Sequence, residues 1–100
     1  MRITEEKREF LVGLTAMIRP SADIYLFGSR TNDSLKGGDI DLLILDDTRL
    51  SFEESAKLSY KFRSKFGDQK VDIVSFAHQE DLPFKKIALS TAISLDIEKV

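Results

Sequence analysis

The sequence has no cysteine, no tryptophan, two prolines and one histidine. Without cysteine the chain has no disulfides and no thiolate metal ligands, which fits a reducing compartment. No apolar run approaches the roughly 20 residues that span a bilayer, and the charged N-terminus lacks the apolar stretch of a signal peptide. The net charge of −2 does not favour whole-chain attraction to nucleic acid or acidic membranes. We therefore expect a cytoplasmic protein with no membrane and no direct nucleic-acid partner.

Hydrophobic residues make up 42% of the 100-residue chain, which is enough to form the core of one domain over residues 1–100. Apolar residues at helical spacing predict a first helix over residues 4–19. Thr4 is expected to cap this helix, and Pro20 is expected to stop it.

Two further helices carry recognisable end signals. Ser51 and Glu54 have the spacing of a capping box, and they predict a helix from about residue 51 to Gly67, which suits a C-terminal cap. Another helix is expected to have Pro83 in its first turn. The polar residues 29–36 are interpreted as a short helix.

Three short segments rich in β-formers are predicted to be strands: residues 23–27, 39–45 and 70–76. Residues 92–97 alternate apolar and polar side chains as a strand does, although a helix is an open alternative. The predicted order is α-β-α-β-α-β-α-(β). This order indicates the α+β class, with a small mixed sheet of three to four strands flanked by helices.

Two aspartates, Asp39 and Asp41, interrupt the second predicted strand. Residues two apart on a strand point to the same face, so their carboxylates would lie about 7 Å apart or closer. Two negative charges at that separation repel by about 2 kcal/mol at an effective dielectric constant near 20. A hard divalent cation would reverse this repulsion, and Mg²⁺ prefers a few carboxylates with phosphate oxygens and water. The pair indicates a Mg²⁺–phosphate site, and the alternative is a solvated strand start.

Two neighbouring features support the phosphate interpretation. Gly28 and Ser29 follow the first predicted strand, where backbone amides and a hydroxyl would form a phosphate seat, and Arg30 would add positive charge. The third predicted strand contributes Asp72 between β-branched residues. Each feature alone is weak, but their succession along the chain favours one common site.

The combined motifs resemble a known superfamily. The segments FGSR (27–30), GGDIDLLI (37–44) and VDIV (71–74) are similar to those of the nucleotidyltransferases that include DNA polymerase beta. Within that superfamily the chain is most similar to the minimal nucleotidyltransferases, which are stand-alone domains of about this length. The resemblance covers nearly the whole chain and implies the nucleotidyltransferase fold.

The resemblance also implies an activity, which is Mg²⁺-dependent transfer of a nucleotidyl group from a nucleoside triphosphate such as ATP. Two Mg²⁺ ions would be held by three catalytic carboxylates, those of Asp39, Asp41 and Asp72. Asp72 would also help to orient or deprotonate the attacking hydroxyl. The phosphates of the leaving group would be bound by Gly28, Ser29 and Arg30.

A partner protein follows from the same resemblance. Minimal nucleotidyltransferases typically pair with a HEPN-domain protein, often as the antitoxin of a HEPN ribonuclease toxin, and some transfer AMP from ATP to a tyrosine of that partner. The resemblance thus implies a protein adenylyltransferase in a hetero-oligomer with a HEPN toxin. One alternative is a non-catalytic antitoxin that neutralises its partner by contact. Another is transfer to a small molecule such as an antibiotic, which generally needs an added acceptor-binding domain.

The remaining polar and aromatic residues receive structural interpretations. Surface positions are expected for the histidine and five lysines: His78, Lys57, Lys61, Lys65, Lys85 and Lys86. Three of these lysines form an i, i+4, i+8 stripe that suits a solvated helix face. Tyr25 and Tyr60 are expected to pack rather than to accept a nucleotidyl group.

Overall fold

The structure, a computed structural model, describes residues 3–27, 40–67 and 70–95. The described residues form three helices and four strands, in the order α1 (Glu5–Ile18), β1 (Asp23–Phe27), β2 (Ile40–Asp46), α2 (Phe52–Phe66), β3 (Val71–Ala77), α3 (Pro83–Thr91) and β4 (Ile93–Ser94). This arrangement confirms the α+β class with a small sheet flanked by helices.

Helix α1 begins and ends close to the predicted residues. The Thr4 hydroxyl accepts a hydrogen bond from the backbone N–H of Lys7 at 3.2 Å, which satisfies one of the free N–H groups of the first turn. The helix ends at Ile18, two residues before Pro20, whose ring cannot continue a helix.

Helix α2 carries the predicted capping box. The Ser51 hydroxyl accepts from the N–H of Glu54 at 3.1 Å, and the Glu54 carboxylate accepts from the N–H of Ser51 at 2.8 Å. The helix is closed by Gly67, which has a φ of +88° and donates its N–H to the carbonyl of Arg63 at 2.9 Å. A side chain at this backbone conformation would be strained, so the glycine is required there.

The four strands form one mixed sheet in the order β3-β2-β1-β4. Strands β2 and β3 are parallel and are connected through α2, whereas β1 is antiparallel to both of its neighbours. A bond from the N–H of Leu95 to the carbonyl of Ile24, at 3.0 Å, continues the pairing just beyond β4. The sheet therefore has the mixed character and the strand number expected from the sequence.

The two faces of the sheet are covered by different helices. Alternate residues of β1, β2 and β3 pack with α1 and α2, and this core includes Leu11, Leu26, Leu42, Ile44, Leu58 and Phe62. The residues between them in β2 and β3 face α3, in a smaller core of Leu43, Leu45, Phe76 and Ala88. By strand alternation, the odd-numbered residues of β2 thus belong to the α3 face, and this places Asp41 on that side.

Two predicted segments fall wholly or partly outside the described residues. The short helix expected over residues 29–36 lies outside them. In the segment 92–97, Ile93–Ser94 is a strand, as the alternation predicted, and residues 96 and 97 lie outside the described part.

The expected surface position of Lys85 is wrong. Its side chain is buried, and its Nζ donates to the carbonyls of Ala77, His78 and Glu80 at 3.1, 2.6 and 2.8 Å. The buried ammonium is stable there because the three carbonyl oxygens accept its hydrogen bonds in place of water. Lys86 is 72% exposed, as expected, and lies 2.8 Å from Asp81.

Candidate active site

Two predicted site carboxylates, Asp41 and Asp72, are neighbours in the sheet. The strand register pairs Asp41 of β2 with Asp72 of β3, and it pairs Asp41 on its other side with Phe27, the last residue of β1. Directly paired residues project from the same face of a sheet, and adjacent strands lie about 4.8 Å apart. The fold therefore brings together two carboxylates that are distant in sequence. We call this end of the sheet, where β1 ends and β2 and β3 begin, the site end.

Both carboxylates are partly open to solvent. Asp41 is half-buried, and the Asp72 side chain is 43% exposed. The Nζ of Lys70 lies 3.5 Å from Oδ1 of Asp72. The backbone of Lys70 is fixed against the start of β2, because its carbonyl accepts the N–H of Ile40 at 2.9 Å. Among the described residues, the site end thus holds the carboxylates of Asp41 and Asp72 and the ammonium group of Lys70.

The other predicted site residues, Gly28, Ser29, Arg30 and Asp39, lie outside the described residues. Their roles remain predictions. In the described part of the chain, β1 ends at Phe27 and β2 begins at Ile40, and these two residues lie at the site end. The residues that flank the predicted phosphate loop therefore lie beside Asp41 and Asp72.

The chemistry of the site end fits a hard divalent cation. Carboxylate oxygens are hard ligands, and Mg²⁺ is usually bound by one or two carboxylates together with water and substrate phosphates. Asp41 and Asp72 provide two such groups on one face of the sheet, and their partial exposure leaves them accessible to a phosphate-bearing ligand. The described pair therefore fits part of a Mg²⁺ site.

A second acidic group lies at the opposite end of the sheet, where β2 and β3 finish. Among the described residues, Asp46, Asp47 and His78 offer ligand atoms within 4.8 Å of one another and form a candidate acidic metal site. Asp46 is buried, whereas the other two residues are exposed. No sequence motif predicts this group, because His78 joins Asp46 and Asp47 only when the ends of β2 and β3 meet.

The hydrogen bonds of Asp46 favour a structural role for this second group. Its Oδ1 accepts from the Ser21 hydroxyl at 2.6 Å and from the N–H of Asp47 at 2.8 Å, while Oδ2 accepts from Arg19 at 3.1 Å. Burial opposes ionisation of Asp46, but these hydrogen bonds outweigh it and lower its pKa. A cation would have to compete with the Arg19 guanidinium for this carboxylate.

Arg19 is the centre of a network that joins several elements. Its guanidinium donates to the two carboxylate oxygens of Glu54 at 2.8 and 2.9 Å and to the carbonyl of Arg49 at 2.9 Å. The hydrogen bond from Arg19 is the main cause that lowers the pKa of Glu54 to about 2. Because Arg19 follows α1 and Glu54 lies in the first turn of α2, the network fixes these two helices to the end of β2.

Most of the remaining residues are placed as expected, with one exception. The His78 side chain is 42% exposed, and its Nε2 lies 3.7 Å from Oδ2 of Asp23. Tyr25 is half-buried, but Tyr60 is 72% exposed, so the expectation that it packs is wrong. Tyr60 projects from α2 because its position lies off the apolar stripe of Leu58 and Phe62. The three stripe lysines are exposed: Lys57, Lys61 and Lys65.

Two residues that shape the ends of the sheet were not singled out from the sequence. Lys70 stands two residues before Asp72, a spacing that places two side chains on the same side of an extended chain. That spacing is the signal that could have identified it. For Arg19, the sequence offered only its position at the end of a helix.

The sequence comparison identifies a family. The family described as "Polymerase beta, Nucleotidyltransferase" matches residues 20–96. This range includes β1, β2 and β3 and both ends of the sheet. No match to a curated protein was found.

Solved structures with the same fold include several toxin–antitoxin complexes. One is a tri-AMPylated HEPN toxin with its MNT antitoxin from Shewanella oneidensis, with 22% identity, a TM-score of 0.67, and coverage of 93% of this chain and 71% of the other. Another is a toxin–antitoxin with AMP-PNP, with 23% identity, a TM-score of 0.69, and coverage of 88% and 71%. A third, the MntA–HepT toxin–antitoxin, has 21% identity, a TM-score of 0.65, and coverage of 92% and 71%. These likenesses establish the nucleotidyltransferase fold.

Within the described residues, no helix is both long enough and apolar enough to cross a membrane.

Proposed function

Because the chain belongs to the polymerase beta nucleotidyltransferase family, we propose that it is a Mg²⁺-dependent nucleotidyltransferase that moves AMP from ATP to a tyrosine of a HEPN-domain partner. In this proposal residues 1–100 act as one minimal domain, in the cytoplasm, as the antitoxin of a toxin–antitoxin pair. The acceptor tyrosine belongs to the partner toxin, with which the chain forms a hetero-oligomer.

The pairing of Asp41 with Asp72 is the observation that carries the proposal. Two neighbouring carboxylates on one face of the sheet repel each other, and this repulsion lowers the stability of the fold unless positive charge lies near them. A site that binds a cation and a triphosphate uses this arrangement directly, because the cation offsets the repulsion. The partial exposure of both side chains also suits a ligand that enters from solvent.

The proposed reaction is an in-line displacement at phosphorus. The hydroxyl oxygen of the acceptor attacks the α-phosphorus of ATP, the bond between that phosphorus and the bridging oxygen breaks, and pyrophosphate leaves. Asp72 would help to orient the acceptor hydroxyl or to remove its proton. When bound, Mg²⁺ ions supply positive charge that stabilises the attacking and leaving oxygens.

The binding roles are assigned by position in the family motifs. Two Mg²⁺ ions would be held by Asp39, Asp41 and Asp72. The β- and γ-phosphates would be bound by Gly28, Ser29 and Arg30. Of these six residues, Asp41 and Asp72 have a described geometry, and that geometry is consistent with their roles.

The proposed partner and acceptor are supported by proteins of the same fold. One similar structure is a complex with a HEPN toxin that carries AMP, and another contains AMP-PNP. The acceptor must also be held by something beyond the described residues, because these contain three helices and a four-stranded sheet and no separate acceptor-binding domain.

Label transfer tests the proposal. The full chain is incubated with α-³²P-ATP, Mg²⁺ and a HEPN-domain protein as the proposed partner, and the label on that protein is measured. We expect Asp41→Asn and Asp72→Asn to lower the transfer rate roughly 10²-fold or more, because each removes a ligand for the metal that stabilises the transition state. Removal of Mg²⁺ with a chelator should have an equal effect.

Asp47→Asn is the matched control, because it removes an exposed carboxylate at the opposite end of the sheet. Its transfer rate should stay within about twofold of wild type, as is usual for a surface change away from a site. Loss of transfer in this variant but not in Asp72→Asn would indicate that the metal binds at the opposite end of the sheet. If the wild-type protein transfers no label while Asp39→Ala/Asp41→Ala still neutralises the toxin, the chain acts by contact alone.

A further inference from the structure

Lys70 places a positive charge beside one of the two paired carboxylates. Its Nζ lies 3.5 Å from Oδ1 of Asp72, and Asp72 is the sheet neighbour of Asp41. The backbone of Lys70 is held by the bond from the N–H of Ile40 to its carbonyl, at 2.9 Å. The position of this lysine is therefore fixed by the same strands that position the carboxylates.

The ion pair is loose. Charge-assisted hydrogen bonds between nitrogen and oxygen are typically about 2.7–2.9 Å long, which is shorter than the separation seen for Lys70 and Asp72. The two side chains are 63% and 43% exposed, and exposed pairs of this kind contribute little to stability. The lysine can therefore leave the carboxylate at low cost when a stronger ligand for either group arrives.

An ammonium at this position competes with a metal ion for the same carboxylate. With no metal bound, it reduces the repulsion between Asp41 and Asp72. It also repels a divalent cation that approaches Asp72. At distances of a few ångströms this repulsion is appreciable even in a medium of high dielectric constant. The same ammonium attracts the phosphates of a nucleotide bound at the site end.

We propose that Lys70 couples metal binding to nucleotide binding by exchanging its partner, from the carboxylate of Asp72 to a phosphate of the bound nucleotide. The lysine weakens the binding of metal alone and strengthens the binding of the metal–nucleotide complex, so the site fills with both together. Lys70 is a nucleotide-binding residue in this scheme. The inference rests on the proposed function, since it takes Asp41 and Asp72 as metal ligands.

Two binding constants measured on the full chain separate this role from a structural one. Mn²⁺ binding without nucleotide is followed by the loss of the free Mn²⁺ signal in electron paramagnetic resonance. Binding of α,β-methylene-ATP at saturating Mn²⁺ is followed by calorimetry. We expect Lys70→Met to bind Mn²⁺ about three- to tenfold more tightly and the nucleotide about three- to tenfold more weakly than wild type.

Lys70→Arg and Lys86→Met are the controls. Arginine keeps the charge, so it should return both constants toward the wild-type values. Lys86 also pairs with an aspartate, but this partner, Asp81, lies between the end of β3 and the start of α3, so Lys86→Met should change neither constant. Circular dichroism and the melting temperature establish that each variant is folded.

The outcomes distinguish failure of the inference from failure of the proposed function. Wild-type protein that binds neither Mn²⁺ nor nucleotide contradicts both. A second outcome is that the wild-type protein binds both ligands but Lys70→Met leaves either binding constant unchanged. This outcome contradicts the exchange by Lys70 and leaves the proposed function intact. Changes of the two constants in the same direction also contradict it, because a general disturbance of the site produces that result.

Discussion

Lys85 shows how a charged side chain can stabilise an interior. Its Nζ donates to the carbonyl of Ala77, the last residue of β3, and to two carbonyls of the following turn, and Lys85 and Ala88 are the buried residues of α3. Carbonyls that are buried without a donor lose the hydrogen bonds that water gives them in the unfolded chain. The lysine is therefore a structural donor that ties the start of α3 to the end of β3.

Replacing Lys85 by methionine keeps most of the volume but removes the donor. We expect Lys85→Met to lower the free energy of unfolding by about 2 kcal/mol, because one buried and two partly buried carbonyls lose their hydrogen-bond donor. The measurement is urea unfolding followed by circular dichroism. Lys86→Met, the exposed neighbour, should shift the urea midpoint much less, and an equal shift in the two variants would contradict the structural role of Lys85.

At the scale of elements, the two glycines at described positions of helices have opposite roles. Gly13 lies within α1, and a Cβ added there meets no atom within 4 Å. Gly67 ends α2 with a φ of +88°, a conformation that side chains other than that of glycine rarely adopt. Alanine therefore changes the helix propensity at Gly13, whereas at Gly67 it introduces backbone strain.

These differences predict opposite effects of alanine. Gly13→Ala should raise the free energy of unfolding by about 0.5–1 kcal/mol, because alanine has the higher helix propensity and the space is open. Gly67→Ala should lower it by about 1–2 kcal/mol, because alanine must adopt a positive φ. Thermal unfolding of the two variants beside wild type checks the signs. A stabilised Gly67→Ala variant would show that the end of α2 relaxes to a different conformation.

The helices and strands were predictable because their signals are local. Each helix start is marked by residues within one turn of it: Thr4 for α1, Ser51 and Glu54 for α2, and Pro83 for α3. Strand alternation likewise placed β1, β2 and β3 to within a residue or two. The predicted helix over residues 29–36 is not tested, since those residues lie outside the described part.

Contacts between distant segments were not predictable in the same way. The motifs suggested that Asp41 and Asp72 act together, but their direct pairing depends on the parallel register of β2 and β3. The burial of Lys85 depends on where a turn directs its carbonyls, and no sequence pattern reports this. The network around Arg19 likewise joins residues that come together only in the folded chain.

On the scale of the whole molecule, the two ends of the sheet differ in what holds them. The opposite end is fixed by the Arg19 network with Asp46 and Glu54, and by the ion pair of Arg49 with Glu80. The pKa of Glu80 is lowered to about 2, first by its hydrogen bond from Arg49 and then by that from the N–H of Ala77. At the site end, Asp41 and Asp72 are partly exposed to solvent.

This distribution predicts sensitivity to acid. The carboxyl groups of Glu54 and Glu80 have a pKa near 2 in the folded chain, against the ordinary 4.5, so they bind protons more readily when unfolded. Their contribution to stability is complete above about pH 5 and is lost as the pH falls toward 2. We expect the urea midpoint to decrease steadily over this range.

Glu54→Gln should reduce the dependence on pH, because it removes one of the groups whose pKa is lowered. Its stability at pH 7 should be below that of wild type, and the two should converge as the pH approaches 2. Glu53→Gln, at the exposed preceding position of the same helix, is the matched control and should keep the wild-type dependence. Identical pH profiles for Glu54→Gln and wild type would contradict the assignment.

The strand order β3-β2-β1-β4 also determines when the fold can be completed during synthesis. The last described residue, Leu95, bonds through its N–H to Ile24, and its carbonyl accepts from Arg8 at 2.6 Å, 87 positions earlier in the chain. Until Leu95 of a nascent chain has emerged from the ribosome, the side of β1 that pairs with β4 has no partner strand. An apolar strand with an open side can pair with another chain, so neighbouring ribosomes on one messenger would expose copies of β1 to each other.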